Sequence, residues 1–293
     1  TTLEVWLMSN QITTAFSQQF GQTVALLSQQ RGSMFRNVVR NESVIGEKAF
    51  FDQVSSVAAV LKTSRHSDTP LTEVPHSRRQ VSMNTYEFAD LIDDADQVAT
   101  IIDPTSAYAQ SASAAMMRAV DDEIIAAATG SAKTGKTGSG STDLAADHII
   151  AHGSAGLTVA KLLAAKEQLD LADVYPSIPR HIACAPQQIK DLLNTTEVKS
   201  SDFNTVKSLA RGELDSFLGF QFHMTNRLAK SSTTRTCFAW AQDGLLLAIG
   251  QDAKSRIEER SDKSFSTQVY YSQTVGATRM EEAKVVSILC TES

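Results

Sequence analysis

The spacing of apolar residues along the chain changes several times, and each change marks an element. Ile12, Phe16, Phe20, Val24 and Leu27 recur every three or four residues within a stretch rich in Gln, Ser and Thr. That spacing predicts an amphipathic helix. Little apolar sequence nearby could cover it, so residues 1–43 read as an N-terminal arm that docks elsewhere. From residue 44 the pattern changes. Val57-Ala58-Ala59-Val60-Leu61 reads as a strand, and Lys62 to Arg79 is polar. Val81 and Met83 then alternate with polar neighbours, and Tyr86 and Phe88 keep the period of two on the opposite parity. The pattern predicts a long two-stranded arm over 44–92 with a polar tip and a bulged or twisted second strand. An isolated hairpin is marginal in water, so such an arm needs a partner surface in its own domain or in a neighbouring subunit.

Residues 104–129 carry the clearest helix. Asp103 suits the N-cap, Pro104 the first turn and Gly130 the stop. Ala dominates the interior, and Tyr108, Ala112, Met116, Val120 and Ile124 fall four apart. Twenty-six residues would span about 39 Å. Ser131 to Asp143, rich in Gly, Ser, Thr and Lys, reads as a mobile loop. Helices are predicted at 158–172, with Thr158 as cap, and from Pro186. Strands are predicted at Arg180–Cys184, Phe220–Met224 and Cys237–Trp240. In the last part Val269-Tyr270-Tyr271 leads to a turn at Gly276 and then to Val285–Leu289. No fixed-period repeat appears. The class is α+β with helices and sheets intermixed.

Composition narrows the function. Of 293 residues, 42% are hydrophobic and 20% charged, which fits a folded chain and excludes a disordered one. The net charge is −6. The densest basic stretch is His76-Ser77-Arg78-Arg79, too short for a protein that works by wrapping phosphates. Cys184, Cys237 and Cys290 are odd in number and far apart, which argues against a disulfide framework or zinc module and for a reducing compartment. No run of 18 apolar residues predicts a membrane span. The chain starts at Thr1-Thr2, read as loss of an initiator Met before a small residue, with processing of a longer pro-segment as the alternative.

Candidate chemistry is thin. Gly130-Ser131-Ala132-Lys133-Thr134-Gly135-Lys136-Thr137 matches the phosphate-loop pattern letter for letter. That chemistry needs a strand entering and a helix leaving, whose N-terminal amides face the phosphates. Here a helix enters and Gly138-Ser139-Gly140-Ser141 leaves. His148 and His152 stand four apart, a spacing that could place two metal ligands on one helix face, but no glutamate accompanies them and Gly153 follows. Asp90, Asp93, Asp94 and Asp96 fit no calcium loop and read as a solvated or contact face. No catalytic residue, metal ligand or cofactor site is assigned.

Three stretches carry a resemblance. The first is Gly212-Glu213-Leu214-Asp215-Ser216-Phe217-Leu218-Gly219-Phe220-Gln221-Phe222, followed by Thr225-Asn226-Arg227-Leu228. The second is Val275-Gly276-Ala277-Thr278-Arg279 followed by Lys284-Val285-Val286-Ser287-Ile288. The third runs from Ile102-Asp103-Pro104 through Asp121-Asp122-Glu123-Ile124. In their order and spacing they resemble the major capsid proteins of tailed bacteriophages, the Hong Kong 97 type, related to encapsulin shells. The resemblance implies an N-terminal arm (1–43) and an extended loop (44–92). It further implies a peripheral domain (93–157 and 259–293) with a spine helix at 104–129, and an axial domain (158–258). It implies hexamers and pentamers of an icosahedral shell around double-stranded DNA, assembled in the host cytoplasm, with portal, scaffolding or decoration proteins as partners. It implies no active site. Some relatives join subunits through a Lys and an Asn, but no local motif here allows that transfer.

Two contacts between subunits are expected. Arg78 and Arg79, near the tip, would meet acidic residues of a neighbour such as Asp93, Asp94 and Asp96. Phe16 and Phe20 of the arm would be covered only after assembly. The competing readings are a nucleotide hydrolase using Lys136 and Thr137, an encapsulin-like cargo compartment, and a soluble oligomeric binding module whose arms swap within a small ring.

Overall fold

The computed structural model describes residues 29–92 apart from 31, 67 and 70, then 105–194 and 216–292. The predicted N-terminal helix, with Phe16 and Phe20, lies outside that set, as do Asp93, Asp94, Asp96, Asp103 and Pro104. The chain divides into two compact units. The smaller comprises residues 1–33, 85–120 and 251–274, the larger 34–84, 121–250 and 275–293.

The larger unit is built on a mixed sheet. Its central strands are β8 (Arg180–Cys184), β12 (Thr234–Ala241) and β15 (Val285–Thr291), and β7 (Ile149–Ile150), β9 (Ser216–Phe217) and β10 (Phe220–Met224) complete the order β7-β15-β12-β8-β10-β9. The short β11 (Lys230–Ser231) pairs with β12. β12 is antiparallel to β15, with Cys237 opposite Ile288, while β10 runs parallel to β8. All five residues of β8 are buried, as are Cys237 to Ala241, the continuous apolar pattern of strands covered on both faces. Fully burying side chains such as Trp240, Phe238 or Phe220 contributes roughly 1.5–3 kcal/mol each.

Two helices of this unit follow their sequence signals. One, α2, runs from Val159 to Leu171, with Thr158 Oγ1 accepting the Lys161 amide as an N-cap. It buries Leu162, Ala165 and Leu169 and leaves Leu163 and Leu171 exposed. The other, α3, is Pro186–Leu193 with proline in its first turn. The long helix α1 is Thr105–Thr129 and stops before Gly130. Ala112, Met116, Val120 and Ile124 are buried; the Tyr108 side chain lies outside the described set.

The arm differs from the sequence expectation. Its first strand, β2, is Lys48–Val54, and Val57–Leu61 is irregular and exposed. The reason is physical. Lys48–Val54 alternates exposed with partly covered residues and lays Ala49 and Phe51 on a small core of Val44, Val81, Leu246, Ala248 and Met280, whereas Val57–Leu61 has no alternation and, among the described residues, no such surface. β2 pairs antiparallel with β3, His76–Ser82, from Lys48 opposite Ser82 to Val54 opposite His76. The predicted bulged second strand is two strands. β3 ends at Ser82, and β4, Asn84–Ile92, joins a different sheet, so the parity change around Met83 marks a change of sheet.

Two further expectations are corrected. Ser131–Asp143 contains a hairpin of β5 (Ala132–Thr134) and β6 (Gly140–Thr142) that adds to β3 in the order β2-β3-β5-β6. And Gly276 makes no turn. It lies inside β14, a continuous strand from Ser266 to Arg279, where a Cβ would stand 2.2 Å from the Ser82 carbonyl oxygen. Glycine is there because another backbone passes close; the chain reverses between Met280 and Lys284. Also in this unit, β1 (Arg40–Ser43) pairs in parallel with the first residues of β13 (Leu245–Arg260). In the smaller unit β14 lies between β13 and β4, with Tyr270 donating to Glu87 and Gln251 to Ser272.

Candidate functional site

A cluster of polar side chains closes the base of the arm, and Arg279 is its centre. Its guanidinium is fully buried. Nη1 donates to the carbonyls of Ala128 (3.1 Å) and Gly130 (2.7 Å), and Nη2 to that of Thr142 (2.9 Å). These acceptors include an end carbonyl of α1, which a helix leaves without a partner and which favours a cation. Burial works against the guanidinium's charge, and Glu282, 3.9 Å from Nε, supports it. Glu282 also takes Arg79 Nη2 at 2.6 Å, and Arg79 Nε donates to the Met280 carbonyl at 2.8 Å. Gln53 Nε2 reaches the same carbonyl at 2.6 Å. Arg79 and Arg279 thus tie β2, β3, β5–β6, the end of α1 and the 280–284 turn into one junction. A cleft of about 250 Å³ lies beside it, lined by Gln53, Val54, Arg79, Glu281 and Glu282 among others.

Arg78 behaves differently from its neighbour. It is half-buried on the opposite face of β3 and forms a two-pronged pair with Asp52, Nε to Oδ1 at 2.5 Å and Nη2 to Oδ2 at 3.1 Å. That hydrogen bond lowers the Asp52 carboxyl and raises the arginine. Its guanidinium also stands 5.6 Å from the Phe50 ring centroid, within cation–π range. Both arginines therefore sit in the paired ladder and have acidic partners in their own chain, which corrects their placement near the tip. The tip is Ser55–Pro75. Val57, Val60, Leu61 and Leu71 are exposed there, Leu61 by 82% and Leu71 by 97%.

A second junction joins residues whose partnership no local motif announces. Asp121 is fully buried, and its carboxylate accepts the amides of Met34 and Phe35. Arg227 Nε donates to Asp122 at 2.6 Å, and Nη2 completes a two-pronged pair. The Asp121-Asp122 and Thr225-Asn226-Arg227 stretches, about a hundred positions apart, meet here. Sequence reading also missed Lys161. It is buried, and Nζ donates to the carbonyls of His152, Ala155, Gly156 and Leu289 at 2.8 to 3.0 Å. A lysine among the apolar positions of a helix gives no local sign that four carbonyls await it.

Other sequence candidates find structural explanations. Lys136 and Thr137 lie in the turn between β5 and β6, and a strand, not a helix, follows. The loop therefore lacks the helix N-terminus that phosphate binding of that pattern requires. His148 and His152 share no helix. The first ends a short 3₁₀ turn with Nδ1 3.2 Å from the Val285 carbonyl, and His152 Nδ1 accepts the Ser154 amide. Among the described residues no cluster of His, Cys, Asp or Glu is arranged to hold a metal. The three cysteines, distant in sequence, lie on the neighbouring strands β8, β12 and β15, all free and buried. Burial pushes the Cys184 thiol up to about 12.

This architecture is that of virus shells. Among solved structures, the capsid of cyanophage P-SCSP1u is similar at 16% identity and a TM-score of 0.74, over 99% of this chain and 97% of that one. The capsid of Ralstonia phage GP4 matches at 11% identity and 0.73, over 100% and 98%. The capsid of Helicobacter pylori bacteriophage KHP30 matches at 12% and 0.70, over 99% of each. The fold is the Hong Kong 97-type capsid fold that the sequence resembles. No curated protein matches the sequence significantly. The model of the phage capsid protein family matches residues 12–292, and the chain belongs to that family. It is a structural protein of the virion, a major capsid protein that self-associates into a shell. Among the described residues no helix is long and apolar enough to cross a membrane.

Proposed function

We propose that the chain assembles in the host cytoplasm into hexamers and pentamers of an icosahedral shell around double-stranded DNA, with a portal and scaffolding or decoration proteins as partners, and that it catalyses no reaction. In this reading residues 1–43 are the N-terminal arm and 44–92 the extended loop. Residues 93–157 and 259–293, with the helix near 104–129 as spine, form the peripheral domain, and 158–258 the axial domain. The observation that supports it best is the arm. Its base is fastened through Arg79 and Phe51, while its far part presents Val57, Val60, Leu61 and Leu71 to solvent. Apolar side chains displayed on an extended loop lower the free energy when another surface covers them.

The proposed contacts between subunits are Arg78 rather than the buried Arg79 on the arm, Asp93, Asp94 and Asp96 as its acidic partners, and Phe16 and Phe20 in the N-terminal arm. Electron microscopy and sedimentation of the chain, expressed alone and with any scaffolding gene beside its own, test the reading. Closed particles, or sheets and tubes of hexamers, support it; a monodisperse small species under both conditions contradicts it.

A further inference from the structure

Strands β8, β10 and β12 carry a nest of aromatic rings that the shell-building role does not explain. His181 and His223 stand with ring centroids 5.2 Å apart and share a hydrogen bond between Nδ1 and Nε2 of 3.1 Å. Trp240 lies over both, at 5.4 and 6.0 Å. Phe35 enters from the chain before β1, 5.7 Å from Trp240 and 6.2 Å edge-on to His223. It is fully buried. Trp240 Nε1 donates to the Val38 carbonyl at 3.1 Å, so the nest holds the Met34–Val39 segment at two points, through a ring and through a backbone bond.

This arrangement tolerates neutral imidazoles. Two neutral rings satisfy the His181–His223 bond with one proton between them. A first added proton leaves that bond in place, an imidazolium donating to its neutral neighbour, but puts a charge into the nest. A second would leave two donors facing each other. His181 is 3% exposed, and among the described residues its Nε2 is buried without a hydrogen-bond partner, so a charge there meets no anion among those residues and little water. Charged groups stand nearby. Asp121 of α1 holds the Met34 and Phe35 amides and interacts with Arg227, which follows β10 and pairs with Asp122. Arg36 is on the segment itself. Arg180 of β8 is engaged with Asp170 and the Val174 carbonyl.

We propose that the His181–His223 pair is an acid-sensitive latch on the Met34–Val39 segment: when an imidazole takes up a proton, the nest opens and Phe35 leaves it. The ionisation supports this. Burial, with His223 adding, lowers His181 to about 4, and burial lowers His223 too. The sign follows. The closed nest favours neutral rings, so it is fully stabilised above pH 6.5, where a free imidazole is also neutral. It loses that advantage as pH falls from 6.5 towards 4, and the opening constant rises up to tenfold per pH unit for each proton taken up.

Hydrogen exchange of the Met34, Phe35 and Val38 amides, corrected for intrinsic rates, tests this in the full chain with Trp6→Phe, so that Trp240 is the one tryptophan. Opening should rise at least tenfold between pH 6.5 and 4.5, together with a change in Trp240 emission. It should stay flat in His181→Phe/His223→Phe and keep its pH slope in Asp121→Asn. The same rise in the double histidine variant, its loss in Asp121→Asn alone, or a flat wild type overturns the latch. Should the double variant not fold, imidazole titrations of the wild type by NMR replace it. Midpoints coinciding with segment release support the proposal, and midpoints displaced by more than one pH unit overturn it.

Discussion

The base of the arm and its far part come from the same stretch of chain, yet they are held by different means. At the base, Phe51 and Val81 share a small core with Leu246 and Met280, and Arg79 is buried against a carbonyl and Glu282. The ladder closes with the Ser55 amide donating to the Pro75 carbonyl, and beyond it Leu61 and Leu71 are almost fully exposed. Arg78 and Arg79 show a similar difference within two residues, one half-buried on Asp52 and one buried on Glu282. The contrast separates two tasks. Interactions at the base stabilise the subunit, whereas the apolar side chains of the far part are left exposed by it, and in the proposed reading a neighbour covers them.

Substitutions sharpen that contrast in order of size. Trp240→Ala empties the centre of the main sheet and should destabilise the subunit by about 3–5 kcal/mol, read by chemical denaturation. Arg279→Ala leaves carbonyls of Ala128, Gly130 and Thr142 without their donor and should cost about 2–4 kcal/mol. Glu292 gives a pH signature. Arg235, then Lys230, hold its carboxyl down to about 2, so its stabilisation is complete above pH 4.5 and is lost as pH falls towards 2. Glu292→Gln should lower stability at pH 7 and flatten the acid limb of the stability profile. Leu61→Ser and Leu71→Ser, at the exposed end, should change subunit stability by less than about 0.5 kcal/mol while reducing shell yield. Arg78→Ala should lower the unfolding midpoint of the subunit only slightly, since an ion pair open to solvent contributes little, and raise the salt sensitivity of assembly.

The sequence was most readable where one local rule decides the outcome. Thr158, Pro186 and Gly130 marked helix ends because capping and backbone geometry are local. The five apolar residues Val57–Leu61 misled because an apolar run forms a strand only where a second surface covers it. Gly276 looked like a turn because a close approach to Ser82 has no local signature. The same limit hid the Arg279 junction and the Arg227–Asp122 pair. The motif stretches were visible, but which residues they touch is decided by pairings across some hundred positions or more. The Ser131–Asp143 hairpin was hidden for a similar reason, since β3 supplies its strand partner.

Hydrogen exchange over Ser55–Pro75, compared between free subunits and assembled shells, tests the central claim most directly. The account predicts rapid exchange and open labelling at Leu61 and Leu71 in the subunit and strong protection in the shell, with little change at Phe51 and Val81. Equal exposure of Ser55–Pro75 in both states would contradict it.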